Sequence, residues 1–91
     1  MPTQTTWHVE VSFTEEDRRT RADAVLEIRG RRFHGWGQAK RAPGDPNVPV
    51  VGEELAAARA LSDVSHQLLQ AAIDVVEDFE GRPVNIHECP R

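Results

Sequence analysis

Residues 20–40 read TRADAVLEIRGRRFHGWGQAK, and the reading of this stretch decides the fold. Side chains alternate between the two faces of a strand. Ala22, Ala24, Leu26 and Ile28 therefore form one face, and Arg21, Asp23, Glu27 and Arg29 the other. Beyond Gly30-Arg31 the alternation resumes, with Phe33, Gly35, Gly37 and Ala39 set against Arg32, His34, Trp36, Gln38 and Lys40. Two alternating runs separated by two residues, the first a glycine, predict a β-hairpin closed by a type II′ turn. The inward face of the second run is mostly small, and glycines inside a strand mark close approach of another backbone or a bulge. A helix lying on the sheet is the expected occupant.

Upstream, Trp7, Val9, Val11 and Phe13 alternate with polar neighbours, the period of a half-buried strand. Thr14 to Arg19 is almost wholly charged and is expected to be a solvated loop. Downstream, residues 41–50 hold three prolines, Gly44, Asp45 and Asn47, a composition that forbids regular hydrogen-bonded structure. Gly52-Glu53-Glu54 then places acids where the first turn of a helix favours them. Leu55, Ala58, Leu61, Val64, Leu68, Ala72, Val75 and Phe79 recur at helical spacing as far as Gly81.

A helix over 52–80 would be roughly 43 Å long, more than a three-stranded sheet can cover. It is expected either to break near Ala71 to Asp74 or to pack in part on another subunit. In residues 82–91, Val84 and Ile86 alternate as in a short extended segment that can add to a sheet edge; an unstructured tail is the equal alternative.

The chain is thus expected to be one α+β domain, a three-stranded antiparallel sheet (6–40), a Pro-rich loop (41–50), a helical region packed on one face (51–80) and a tail (81–91). Its 91 residues leave no room for a second core. A 38% hydrophobic content with 5% aromatic residues gives a thin core, which invites oligomerisation.

No apolar run approaches the roughly 20 residues that span a bilayer, and the N-terminus lacks a signal-peptide pattern, so a cytoplasmic protein is expected. Cys89 is the single cysteine and excludes an intrachain disulfide. The net charge of −4 argues against non-specific coating of nucleic acid. Residues 1–50 nevertheless carry eight Lys or Arg against seven acids, and residues 51–91 three against eight, so the basic charge belongs to the first half.

Phosphate loops, dinucleotide fingerprints, nucleophile elbows and Cys-x-x-Cys pairs are all missing from the sequence. His87-x-Cys89 is the only arrangement resembling paired metal ligands, and no second pair closes a tetrahedral site. The carboxylate groups Glu15-Glu16-Asp17 and Glu77-Asp78-Glu80 sit in solvated runs with no apolar wall to raise a pKa. No catalytic site, cofactor, metal or small-molecule substrate is predicted. Arg59 and Asp63, four apart on the helix, are expected either to pair at the surface or to bridge helix and loop.

The candidate interaction face is the outward side of the sheet, with Arg32, His34, Trp36, Gln38 and Lys40 on the third strand flanked by Arg21 and Arg29 on the second. An indole among cations fits three readings: a dimer interface, an RNA-stacking platform, or partial burial within the monomer.

Gly35-Trp36-Gly37-Gln38-Ala39, Pro43, Asp45, Asn47-Val48-Pro49, Gly52-Glu53-Glu54-Leu55 and Ala58-Arg59-Ala60-Leu61-Ser62-Asp63, with Trp7 and Thr20-Arg21-Ala22 upstream, closely resemble a known family. It is that of small uncharacterised actinobacterial proteins that include a dormancy-associated mycobacterial member, and the resemblance covers most of the chain. Members of that family resemble ribosome hibernation-promoting factors in fold, which implies a homodimer and a role in silencing ribosomes under stress. Hibernation factors seat basic helices on ribosomal RNA, whereas this helix carries Glu53, Glu54, Asp63, Asp74, Glu77, Asp78 and Glu80. Any RNA contact therefore moves to the sheet, through Arg21, Arg29, Arg32, Lys40 and Arg41, with Trp36 stacking. The resulting expectation is a non-enzymatic stress or dormancy protein that binds the ribosome, or alternatively a homodimeric adaptor with a protein partner and no nucleic-acid contact.

Overall fold

A computed structural model describes residues 1–42, 44 and 48–80, with side chains to 78. Three antiparallel strands, β1 (Val9–Glu16), β2 (Arg19–Ile28) and β3 (Arg31–Lys40), lie in the order β1-β2-β3, followed by one helix, α1 (Pro49–Glu80). This is the expected three-stranded α+β fold. The expected metal-like pair His87-x-Cys89, the alternation of Val84 and Ile86 and the core role of Phe79 lie outside the described residues.

Both hairpins turn at other residues than the sequence suggests, and the first is tighter. Thr14, Glu15 and Glu16 are not loop but the end of β1, and Glu16 pairs with Arg19 across a two-residue turn. Asp17 supplies the positive φ (55°) that this turn needs; a short polar side chain tolerates that conformation. In the second hairpin Ile28 pairs with Arg31. The turn is therefore Arg29-Gly30 and not Gly30-Arg31. Both residues have positive φ, 50° and 75°, the pattern of a type I′ turn, whose twist matches that of the strands.

The inward faces of β2 and β3 are as expected: Ala22, Ala24 and Leu26 are fully buried, and Phe33 and Ala39 nearly so. The helix face is not. Ala56, Ala60 and Val64 form the buried line, with Leu68 and Ala71 beside it, whereas Leu55, Ala58, Leu61, Ala72 and Val75 are exposed. Gly35 and Gly37 explain the shift. A Cβ on Gly35 would stand 2.6 Å from the Ala60 carbonyl oxygen and 2.9 Å from Val64 Cγ2. One on Gly37 would press on Arg59 Cβ and stand 2.6 Å from the Ala60 nitrogen. The helix backbone rests on the glycines themselves, a separation at which alanine fits and leucine does not, so the larger apolar residues flank the seam.

The helix is continuous; the expected break at Ala71 to Asp74 is absent, because that stretch has neither proline nor glycine to interrupt its hydrogen bonds. It also starts three residues before Gly52, at Pro49, a residue suited to a first helical turn. The first turn consequently holds no acid, and Glu53 and Glu54 fall in the second. Thirty-two residues span roughly 48 Å, against roughly 34 Å for a ten-residue strand. The helix packs on β3 and β2 and hardly touches β1.

Candidate interaction faces of the sheet

On the outward face, cross-strand pairing puts Asp23 directly opposite Trp36, Arg21 opposite Gln38, Arg19 opposite Lys40 and Glu27 opposite Arg32. Asp23 is the hub. Arg21 donates to it from Nε at 3.2 Å and from Nη2 at 3.0 Å, and His34 Nε2 lies 2.8 Å from the same carboxylate. The hydrogen bonds from Arg21 first, and His34 second, hold the Asp23 carboxyl below its ordinary value of 3.8. Arg21 is thereby fixed with its guanidinium 4.5 Å from the centroid of the Trp36 ring, a cation–π stack. Trp36 remains 48% exposed.

Arg32 reaches Glu27 at 4.0 Å, with both side chains about two-thirds exposed. Gln38 faces outward, and Lys40 makes no ion pair among the described residues. The structure therefore brings Arg21, His34 and Trp36 together with Asp23, and sets Arg32, Gln38 and Lys40 around them. Arg29 is not on this face at all: it occupies the β2–β3 turn. Asp23 escaped the sequence reading because a Gly30-Arg31 turn pairs it with Gln38; moving the turn back by one residue shifts the partner by two, to Trp36.

A second arrangement lies along the free edge of β3. Arg59 donates to the Gln38 carbonyl, the Trp36 amide donates to Asp63 Oδ2 at 3.2 Å, and Gln67 donates to the His34 carbonyl at 2.7 Å and to Asp63 Oδ1 at 3.2 Å. Residues 59, 63 and 67 are one turn apart on the helix, and 34, 36 and 38 are alternate residues of the strand, so the two periods match. Arg59 and Asp63 do not form the surface pair with each other; both are spent on strand backbone. Spacing of four along the helix was the available signal, but the partner was legible only once the glycine seam had fixed the helix beside β3.

The opposite side of the sheet is different. Val9, Val11 and Phe13 pair with Leu26, Ala24 and Ala22, so they face the same side as the helix. Yet Val9 is 42% and Phe13 41% exposed, and Trp7, just before the strand, 51%. The helix axis sits over β2 and β3 and leaves this row uncovered. At the far corner an open cleft of about 330 Å³ is bordered by Glu15, Asp17, Arg18, Lys40, Val51 and Leu55, mixed in charge.

Among the described residues no group of three or more His, Cys, Asp or Glu side chains is placed to hold a metal, and no helix is long and apolar enough to cross a membrane.

Fold and faces together define a small sheet-and-helix domain whose described chemistry-bearing residues lie on open surfaces. The profile of the Rv2632c-like family matches residues 5–85, and the chain belongs to that family. It is 42% identical over 79 residues to the uncharacterized protein Rv2632c of Mycobacterium tuberculosis (strain ATCC 25618 / H37Rv), covering 87% of this chain and 85% of that one. It is 38% identical over 80 residues to the uncharacterized protein MT1780 of M. tuberculosis (strain CDC 1551 / Oshkosh), covering 88% and 85%. The crystal structure of Rv2632c superposes with a TM-score of 0.83 at 39% identity, over 90% of this chain and 98% of that one.

Proposed function

We propose that this protein is a non-enzymatic binding protein that works as a homodimer and presents its outward sheet face to a protein partner, in the stress or dormancy setting that the family resemblance suggests. One observation carries the reading: the cations at the centre of that face are already matched by acids. Asp23 holds both Arg21 and His34, and Glu27 stands by Arg32. A face so balanced has little potential to attract phosphate. What it offers instead is a preorganised Trp-Arg pair ringed by polar groups, the residue types that dominate binding energy at protein interfaces.

Ribosome binding is the second reading, favoured by Arg19 and Lys40, which sit opposite each other on the outward face without ion pairs among the described residues. Their two charges lie at one end of the sheet, next to Arg18, well placed for a phosphate backbone.

Sucrose-gradient sedimentation with ribosomes at low and moderate salt separates the readings. Absence of co-migration, together with capture of a protein from nuclease-treated extract that Trp36→Ala abolishes, supports the adaptor. Salt-sensitive co-migration lost in Arg19→Glu/Lys40→Glu, and kept in Trp36→Ala, replaces it with the ribosome reading.

A further inference from the structure

The two edges of the sheet are finished in different ways. At β3 the His34 and Gln38 carbonyls and the Trp36 amide are taken by helix side chains. Among the described residues nothing covers the β1 edge, and the apolar side of the strand is open with it. An edge strand with unpaired amides and a half-exposed Trp, Val and Phe row is a template for another strand.

We infer that β1 pairs antiparallel with β1 of a second copy, about a two-fold axis through Val11, so that two sheets join into one of six strands with both helices on the same side. The inference rests on the homodimer proposed above and assigns its interface. The pattern of the strand selects both the partner and the register. A two-fold axis perpendicular to the sheet preserves faces, so residues brought opposite each other must both point to the same side.

Centred on Val11, the inward row pairs Val9 with the partner's Phe13 and Val11 with its own mate. The outward row pairs Glu10 with Ser12 and His8 with Thr14. No charge meets a like charge. Centring on Glu10 would set two glutamates face to face, which is destabilising, and centring on Ser12 would set Glu15 against Val9 within the strand, whereas centring on Val11 sets it against Trp7, before the strand begins. A strand that matches itself this well, at the one edge the helix does not guard, is suited to a second copy of the same chain.

The helix flank nearest β1 completes the fit. Leu61, Leu68 and Val75 recur every seven residues, on the flank away from Arg59, Asp63 and Gln67, and Leu61 and Val75 are largely exposed. Like Val9 and Phe13, Leu61 and Val75 are exposed apolar side chains that a second copy would help to cover. The arrangement also leaves Trp36 and Arg21 free, so dimerisation and partner binding do not compete for one indole.

Light scattering across a concentration series, on wild type, Val9→Lys and Trp36→Ala, is the test. Val9 is exposed in the single chain, so Val9→Lys keeps the fold and is expected to halve the mass where wild type and Trp36→Ala are dimeric. A cross-link provides a second readout independent of destabilisation. In Val11→Cys/Cys89→Ser, mild oxidation is expected to give a disulfide-linked dimer, because directly opposed antiparallel residues sit within bridging distance; Gln38→Cys/Cys89→Ser should give none. A wild-type dimer unaffected by Val9→Lys and not cross-linked at Val11 overturns the β1 interface while leaving the homodimer standing. A wild-type monomer at all concentrations overturns both.

Discussion

The free edge of β3 and the free edge of β1 belong to one sheet but meet opposite treatments. Beside β3 the helix backbone comes close enough for Arg59, Asp63 and Gln67 to reach strand amides and carbonyls. Beside β1 no described residue gives such cover, and Val9 and Phe13 stay two-fifths exposed. The cause is two glycines. Gly35 and Gly37 pull the helix toward β3 and away from β1, so a single feature of the sequence closes one edge and opens the other. The buried line of alanines on α1 then follows, since nothing larger fits at that separation. The thin core is a consequence of the same choice.

Breaking the seam should have the largest effect. In Gly37→Ala the added methyl meets the Ala60 nitrogen at 2.6 Å and the Ala56 carbonyl oxygen at 2.8 Å. These are backbone atoms that cannot rotate away. The helix must lift, losing both the alanine packing and the polar ladder at the β3 edge. Overpacking alone typically costs about 1–3 kcal/mol, and the lost ladder adds to it. Urea unfolding should show a loss of at least about 2 kcal/mol. Gly30→Ala, which has nothing within 4 Å but a positive φ of 75°, should cost only about 1 kcal/mol. Equal losses at the two positions would show that backbone strain, not helix approach, governs both glycines.

Asp63→Ala probes the ladder without moving the helix. It removes the acceptor of the Trp36 amide and one partner of Gln67. A hydrogen bond of this kind contributes about 0.5–1.5 kcal/mol, more where the acceptor is charged. The expected loss is therefore about 1–2 kcal/mol. Hydrogen exchange gives the sharper readout: the Trp36 amide should lose protection while amides between β2 and β3 keep theirs. Unchanged exchange at Trp36 would mean that the β3 edge is not held by the helix, and the contrast between the edges would fail.

How much of this was legible beforehand follows from the range of the forces involved. Alternation along 20–40 placed Ala22, Ala24, Leu26, Phe33 and Ala39 inward because it depends only on strand geometry, and the glycines announced a close helix. Turn position depends on a balance between Arg29-Gly30 and Gly30-Arg31 that composition does not resolve, and with it went the pairing of Asp23 with Trp36. Helix periodicity found α1 but ranked its residues by size. The sheet ranked them by how closely they could approach, and therefore chose Ala56 and Ala60 over Leu55 and Leu61. The β3 ladder needed the tertiary arrangement first: no local pattern says that a helical Asp will bind a strand amide 27 residues away.

The smallest expected effect concerns the outward face, and its sign is set by Asp23. The carboxyl is held below its ordinary 3.8 in the folded chain by Arg21 and His34. Its contribution to stability is therefore present above the unfolded value and is lost as the pH falls through the lowered folded one. Asp23→Asn should leave the fold intact at pH 7 with a modest loss, since these groups are substantially exposed and the ion pair is screened. The difference between variant and wild type in urea midpoint should shrink between about pH 5 and pH 2, as the wild-type carboxyl takes up its proton. The same substitution should release Arg21 from the Trp36 ring, changing the indole fluorescence at pH 7. A constant stability difference across that range, with unaltered fluorescence, would mean that the Trp36-Arg21 stack is held by something other than Asp23, and that the two faces of the sheet do not differ in preorganisation as their geometry implies.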